Sequence, residues 1–392
     1  MRVLIVGGGI GGLTAALALR RRDVPAVVYT AAPGDASEKA KDAGLWLPPG
    51  AMQVFDWLDV AGAVREAGSW LERAVVERPD GTELHAVDLA AEGPGAGPVA
   101  LSRRTLRALL AERLPAAVHH QGVRCEGFAA QGGRVTARFA DGTEARGEAL
   151  IGADGANSGV RQRLFPGATL RSADQVRYDG VAERTVASLP GGAHTAREIW
   201  GDGARFGHLP LAGPGGEASG PERVYWFATQ RAADVPVSAR APRAMKEALT
   251  RRYAGFPPRA AALLEATPPG KMARSELRTL APLEQWHRGR VALLGDAAHA
   301  ATPDLGLGAA QAVRDAYVLA LALEEHGTPE AAFSEYAARR RESARRAAQR
   351  SRQVGRLAHA QGTWARLRDG ALRLAPAALP GRPLRSLLAE EL

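Results

Sequence analysis

Apolar and polar positions along the 392-residue chain follow two periods. At the N-terminus four apolar residues, Val3–Val6, read as a short buried strand, and an apolar-faced helix is expected over 13–22. "AVVYT" at 26–30 predicts a second, parallel strand. In the middle, Val135, Ala137 and Phe139 alternate with polar residues, and Asp141-Gly142 marks a hairpin turn. "AVVERPDGTELHAVDL" reads as another hairpin, turned at Asp80-Gly81, and "ALIGADG" as a further buried strand. Late in the chain the apolar run Val291–Leu294 ends in Gly295-Asp296, crosses a Pro/Gly-rich loop and enters an alanine-rich helix expected over 309–323. Two more helices are expected on either side of Pro257-Pro258. Strand, helix and strand in alternation predict an α/β fold, with the period-two segments forming a second sheet.

The length suggests two modules. A single cysteine, Cys125, excludes an internal disulfide and fits a reducing cytoplasm. With no apolar run of spanning length and a strand at the very start, neither a transmembrane helix nor a signal peptide is expected. The net charge of +9 has two readings. One is attraction to anionic partners; the other is an arginine-rich composition spread over solvated helices. The densest basic run, 338–356, lacks interleaved aromatics, which argues against nucleic acid.

Gly7, Gly9 and Gly12 fit G-x-G-x-x-G between the first strand and the first helix. In that setting the first glycine permits a tight turn, the second lets a pyrophosphate approach the backbone and the third allows close helix packing. The acidic residue expected about 20 positions on, to bind a ribose hydroxyl, is missing. Thr30 stands at the end of the second strand, and Asp35 and Glu38 lie further along. A dinucleotide with an altered ribose contact is therefore expected. Asp154, in "GADGANSGVR", reads equally as a helix cap or a cofactor contact. No metal-ligand spacing is present, and no serine sits in a G-x-S-x-G elbow.

G-x-G-x-x-G at the start, "GADGANSGVR" in the middle and "GRVALLGDAAHAATP" late form an ordered triple. It resembles the FAD-binding pattern of the single-component flavoprotein aromatic hydroxylases, the para-hydroxybenzoate hydroxylase-like family. The resemblance covers most of the chain. It extends to "LSRRTLRALL", and to "EIWGDGARFGHLPL" and "VYWFAT", which are similar to strands of salicylate hydroxylase-type members and carotenoid epoxidases.

The resemblance implies a Rossmann-like, glutathione reductase-type FAD domain (1–70, 99–170 and 277–325), an inserted mixed β-sheet substrate domain (71–98 and 171–276) and a C-terminal helical region (326–392). It implies FAD contacts from Gly7, Gly9, Gly11, Gly12, Thr30, Arg103, Val123, Asp154, Asp296, Pro303, Gly306, Leu307 and Gly308. Asp296 would take the ribityl chain, Pro303 would lie near the reacting edge, and Gly306 and Gly308 would offer N–H groups to the ring. NADH or NADPH would reduce the flavin transiently, and a C4a-hydroperoxide formed with O2 would pass one oxygen atom to a small aromatic, polyketide or isoprenoid-like substrate, by hydroxylation or epoxidation. The resemblance fits a monomer or homodimer.

The late loop departs from the family pattern. Leu307 replaces a usual glutamine, Ala310 a polar residue and Arg314 an acidic one, while Asp304 adds a negative charge; Asp315 is kept. With Thr30, these changes also admit a degenerate member that binds FAD weakly. Halogenation is disfavoured, because the paired-tryptophan motif is absent.

A phenol substrate benefits from a general base. Candidates are His208, His194 and Tyr178, with a packing or surface role as the alternative for His208. Trp200, Trp226 and Phe227 are expected to line an aromatic pocket or to fill the core. His299 reads as a flavin-side residue or a structural hydrogen-bonder.

Overall fold

Val3–Val6 forms a strand with all four residues buried, near the middle of a six-stranded sheet. It pairs in parallel with Ala149–Gly152 on one side and Ala26–Thr30 on the other. Val291–Leu293 extends the sheet beyond Ala149–Gly152, and His119–Gln121 extends it beyond Ala26–Thr30. Such near-continuous apolar strands are what burial on both faces requires. The computed structural model describes residues 1–31, 43–90, 97–183, 192–212, 223–236 and 241–374. Asp35, Glu38, most of the 212–222 loop and the tail beyond 374 lie outside them.

The first helix runs Ile10–Arg21 and starts earlier than the apolar pattern implies. Gly9 is its extended N-cap, so the glycine loop itself supplies the first turn. This helix packs against Gly308–Glu325, which grows out of the late glycine loop. The resulting layers enclose one large apolar core.

The second sheet has seven strands: Ala273–Leu280, Leu170–Glu183, Arg223–Arg231, Ala204–Leu211, Thr195–Trp200, Arg73–Glu77 and Glu83–Asp88, in that spatial order. The last two form the hairpin expected at Asp80-Gly81, with Gly81 at φ +85°. The helices Pro242–Arg252 and Pro258–Ala266 cover one face and build a separate core around Trp226 and Tyr253. Leu170 and the whole of Ala273–Leu280 belong to this sheet, so the boundaries expected at 170 and 277 fall inside strands. The reason is register: Leu170 pairs with Leu280, and Asp179 with Ala273.

The basic run at 338–356 lies within one helix, Pro329–Ala358. Its arginines divide by position. Arg340 is buried, while Arg339 and Arg345 pair with Glu325, Glu335 and Glu342 at the surface. A shorter helix, Thr363–Leu374, ends the described chain.

Candidate cofactor groove and substrate cavity

The glycine loop is packed tightly on three sides. A methyl group on Gly7 would sit 2.2 Å from the Ala153 carbonyl oxygen, and Gly7 holds φ +116°. On Gly12 it would lie 1.9 Å from the Gly7 carbonyl oxygen, and on Gly11 2.7 Å from the Leu294 side chain. Gly9 differs: it is exposed, and a methyl there would meet nothing within 4 Å. The open side of the loop is therefore at the second glycine, where the motif's mechanism requires ligand approach.

Around this opening, Thr30 contacts Gly8 and its Oγ1 lies 3.1 Å from His119 Nε2. The Val123 N–H donates to the Thr30 carbonyl. Arg103 is exposed, with its N–H donated to Ala43. The arginine that touches the glycine loop is Arg107, whose Nε donates to the Gly8 carbonyl at 2.6 Å. Sequence reading missed it, although it follows Arg103 by one helical turn and so shares its face. Asp154 spends its carboxylate on protein: it accepts from Ser158 Oγ and from the Val160 N–H at the start of the helix Gly159–Leu164. Burial raises its pKa, against those hydrogen bonds.

Asp296 opens the short helix Asp296–His299 directly after the strand Val291–Leu293 and the turn at Gly295, φ +62°. It is exposed, and a methyl on Gly308 would come 3.9 Å from its Oδ1. Behind it, His299 Nε2 lies 2.6 Å from Asp315 Oδ2, and Arg340 Nε donates to Asp315 Oδ1 at 2.8 Å. Burial would raise the Asp315 pKa, but His299 and Arg340 pull it down to about 2. His299 thus has a structural hydrogen bond, and Asp315 also caps the Gly295 N–H.

The loop after Pro303 lines a cavity of about 370 Å³ together with the seven-stranded sheet, the strand Gly44–Leu47 and the last two helices. Its walls are mostly apolar, among them Trp46, Val75, Val87, Leu209, Phe227 and Leu305. Gly306, at φ +68°, leaves room for the Trp46 indole, which donates to the Leu305 carbonyl at 3.1 Å. Leu307 is buried against Trp46, Leu89 and Leu305, so the position where a polar residue is usual serves here as an apolar peg.

Asp304 does not present a free charge. Its Oδ1 lies 3.0 Å from Arg205 Nη1, and Arg205 also donates to the Asp304 carbonyl and to Glu198. Phe227 lies under two guanidinium groups, Arg177 at 4.5 Å and Arg205 at 5.1 Å from the ring centroid. Arg177 in turn joins Asp179 and the Tyr225 hydroxyl, which donates to Asp179.

His208 lines the same cavity. It is 3% exposed, and neither ring nitrogen has a hydrogen-bond partner among the described residues. Burial, with Arg197 adding to it, pushes its pKa down to about 4, so the ring is neutral near pH 7. A buried polar side chain without a hydrogen-bond partner is costly. The other candidates lie elsewhere: His194 stacks on Trp70, and Tyr178 and Trp226 belong to the separate core. Trp200 and Phe227 line the cavity.

A family model described as FAD binding domain matches residues 1–351. The chain belongs to this FAD-binding family. It is 34% identical over 371 residues to the aurachin C monooxygenase/isomerase of Stigmatella aurantiaca, covering 93% of this chain and 92% of that protein. It is 30% identical over 371 residues to an FAD-dependent urate hydroxylase of Mycolicibacterium vanbaalenii, covering 92% and 89%. The structure of Klebsiella pneumoniae HpxO complexed with FAD and uric acid superimposes with a TM-score of 0.86 at 27% identity, over 99% of this chain and 96% of that one. The flavoprotein is thus an oxidoreductase of the FAD-dependent monooxygenase kind with a Rossmann-like cofactor domain. Among its described residues no helix is long and apolar enough to cross a membrane, and no cluster of His, Cys, Asp and Glu could hold a metal ion.

Proposed function

We propose that this flavoprotein uses NADH or NADPH and O2 to insert one oxygen atom into an electron-rich aromatic or heteroaromatic ring held in the cavity. The observation that carries the reading is the position of His208. A neutral imidazole without a hydrogen-bond partner among the described residues lines a mostly apolar cavity that the Pro303–Gly306 loop also lines. An apolar pocket with few convergent polar groups is the usual form of a small-molecule site.

FAD fits the groove. The open side of Gly9 admits the pyrophosphate, with Gly7, Gly11 and Gly12 fixing the loop around it. Thr30 and Val123 border the ribose end, where a hydroxyl stands in for the usual carboxylate, and Arg107 holds the loop at the Gly8 carbonyl. Asp154 acts through its backbone, because its carboxylate is engaged. Asp296 offers a carboxylate to the ribityl hydroxyls. Pro303, Gly306, Leu307 and Gly308 form the bed of the ring, with the N-terminus of the helix Gly308–Glu325 favouring negative charge there. When bound, the flavin supplies reduction by the nicotinamide and activation of oxygen.

The chain's own residues do the rest. The apolar walls exclude water. One ring nitrogen of His208 accepts a hydrogen bond from a substrate O–H or ring N–H, drawing that proton outward and making the ring carbon more nucleophilic. Arg177 and Arg205, each over the Phe227 ring and each ion-paired, line the same cavity and fix that wall.

The test is NAD(P)H oxidation by the purified protein against phenols and hydroxylated heteroaromatic rings such as urate. The expected outcome is substrate-stimulated oxidation and a product heavier by one oxygen atom. Stimulation without a heavier product contradicts the reading.

A further inference from the structure

The last helix, Thr363–Leu374, has an apolar stripe on the side turned away from the protein. Trp364 is 74% exposed, Leu367 57% and Leu374 86%. At 100° per residue these three and the exposed Ala371 fall within a strip about 80° wide. The helix already has a packed side: Ala365 and Arg368 are buried, and Arg368 donates to the carbonyls of Leu357, Ala358 and Trp200. The stripe is therefore a second apolar face, and nothing among the described residues covers it. Leu357, 51% exposed at the end of the preceding helix, adds to it.

Charge accompanies the stripe. Arg366 and Arg373 lie together on the same helix, about 80–100° round from one edge of the stripe, and Arg356 adjoins Leu357, all exposed. Asp369, the helix's one acid, is engaged by Arg368 and Arg78. The chain as a whole carries a net charge of +9. An apolar stripe with arginines on the adjoining exposed face of a positively charged protein is complementary to an anionic bilayer surface.

The same two helices border the cavity. Val354, Leu357 and Leu372 line it, and Leu357 is at the same time half exposed. We propose that this face is a peripheral membrane-binding surface, seated at the headgroup–acyl boundary of bilayers rich in anionic lipid, and that the cavity opens toward that boundary so that a membrane-dissolved substrate enters from it. The entry route rests on reading the cavity as the substrate site. The docking of the surface does not.

The test uses the full-length, FAD-loaded protein with phosphatidylcholine vesicles, with and without phosphatidylglycerol. Co-sedimentation with the anionic vesicles, weakened by salt, is expected. The variant W364S/L367S is expected to lower the bound fraction by roughly tenfold or more. Its melting temperature and its turnover of a water-soluble substrate should stay unchanged, because both side chains are exposed. No co-sedimentation, or equal binding by the variant, overturns the proposal. So does a wild-type dimer that the variant converts to monomer without any vesicle binding, which would assign the stripe to a second copy. If vesicles bind but a substrate dissolved in them turns over no faster in the wild type than in the variant, the entry route fails while the docking surface stands.

Discussion

Arg205 and Asp304 form a buried ion pair, 3.0 Å apart and each 2% exposed at the side chain, that ties the loop after Pro303 to the second sheet. Removing one member leaves the other charge buried and uncompensated. Arg205→Leu should cost about 3–5 kcal/mol of stability, read as a lower denaturant midpoint. The double variant R205L/D304L should recover most of that loss. If the single variant is as stable as the parent, the pair does not hold the loop.

His208 makes stability depend on pH in a defined window. Its folded pKa is about 4, below the unfolded value of about 6.5. Below pH 6.5 the unfolded chain takes up a proton that the folded chain refuses. The contribution is fully present above that point and is lost as pH falls toward 4, by about 3 kcal/mol at most. His208→Gln should flatten that part of the stability profile. It should also reduce turnover of phenols more than their binding, measured as kcat against KM. An unchanged pH profile would remove His208 from its buried, neutral state.

Asp315 acts lower on the scale. Its folded pKa of about 2 lies below the unfolded carboxylate value, so its stabilisation is complete above about pH 4 and lost as pH falls through 2, by about 2 kcal/mol. Asp315→Asn should lower the melting temperature at pH 7 and remove this acid-dependent step. A step of the same size in the variant would mean that another carboxylate carries it.

The second and third glycines of the first motif should separate folding from cofactor binding. Gly12→Ala places a methyl against the Gly7 carbonyl and should lower both stability and FAD content. Gly9→Ala meets no protein atom within 4 Å. It should melt like the parent without cofactor, yet bind FAD more weakly in a fluorescence-quenching titration. Equal affinity would place the cofactor away from Gly9.

Much of this arrangement is legible in the sequence. The strand at 3–6, the glycine loop and the late Gly295-Asp296 turn are local features with a fixed period or a fixed spacing, so residue order alone exposes them. The hairpin at Asp80-Gly81 is legible for the same reason. What stayed hidden depends on pairs distant in sequence. Asp304 reads as a free charge until Arg205, 99 residues away, is seen beside it. Leu307 reads as a lost polar contact until Trp46 and Leu89 close around it. The strand boundaries at 170 and 280 follow from cross-strand register, which hydrophobic alternation alone does not number.

The central claim is that oxygen from O2 enters a substrate held beside His208. The most direct measurement is turnover under 18O2 with NAD(P)H, followed by mass spectrometry of the organic product. The account predicts one 18O atom per product molecule, with label incorporation falling in His208→Gln in step with turnover. Oxidation of NAD(P)H with an unlabelled or unchanged organic compound would contradict it.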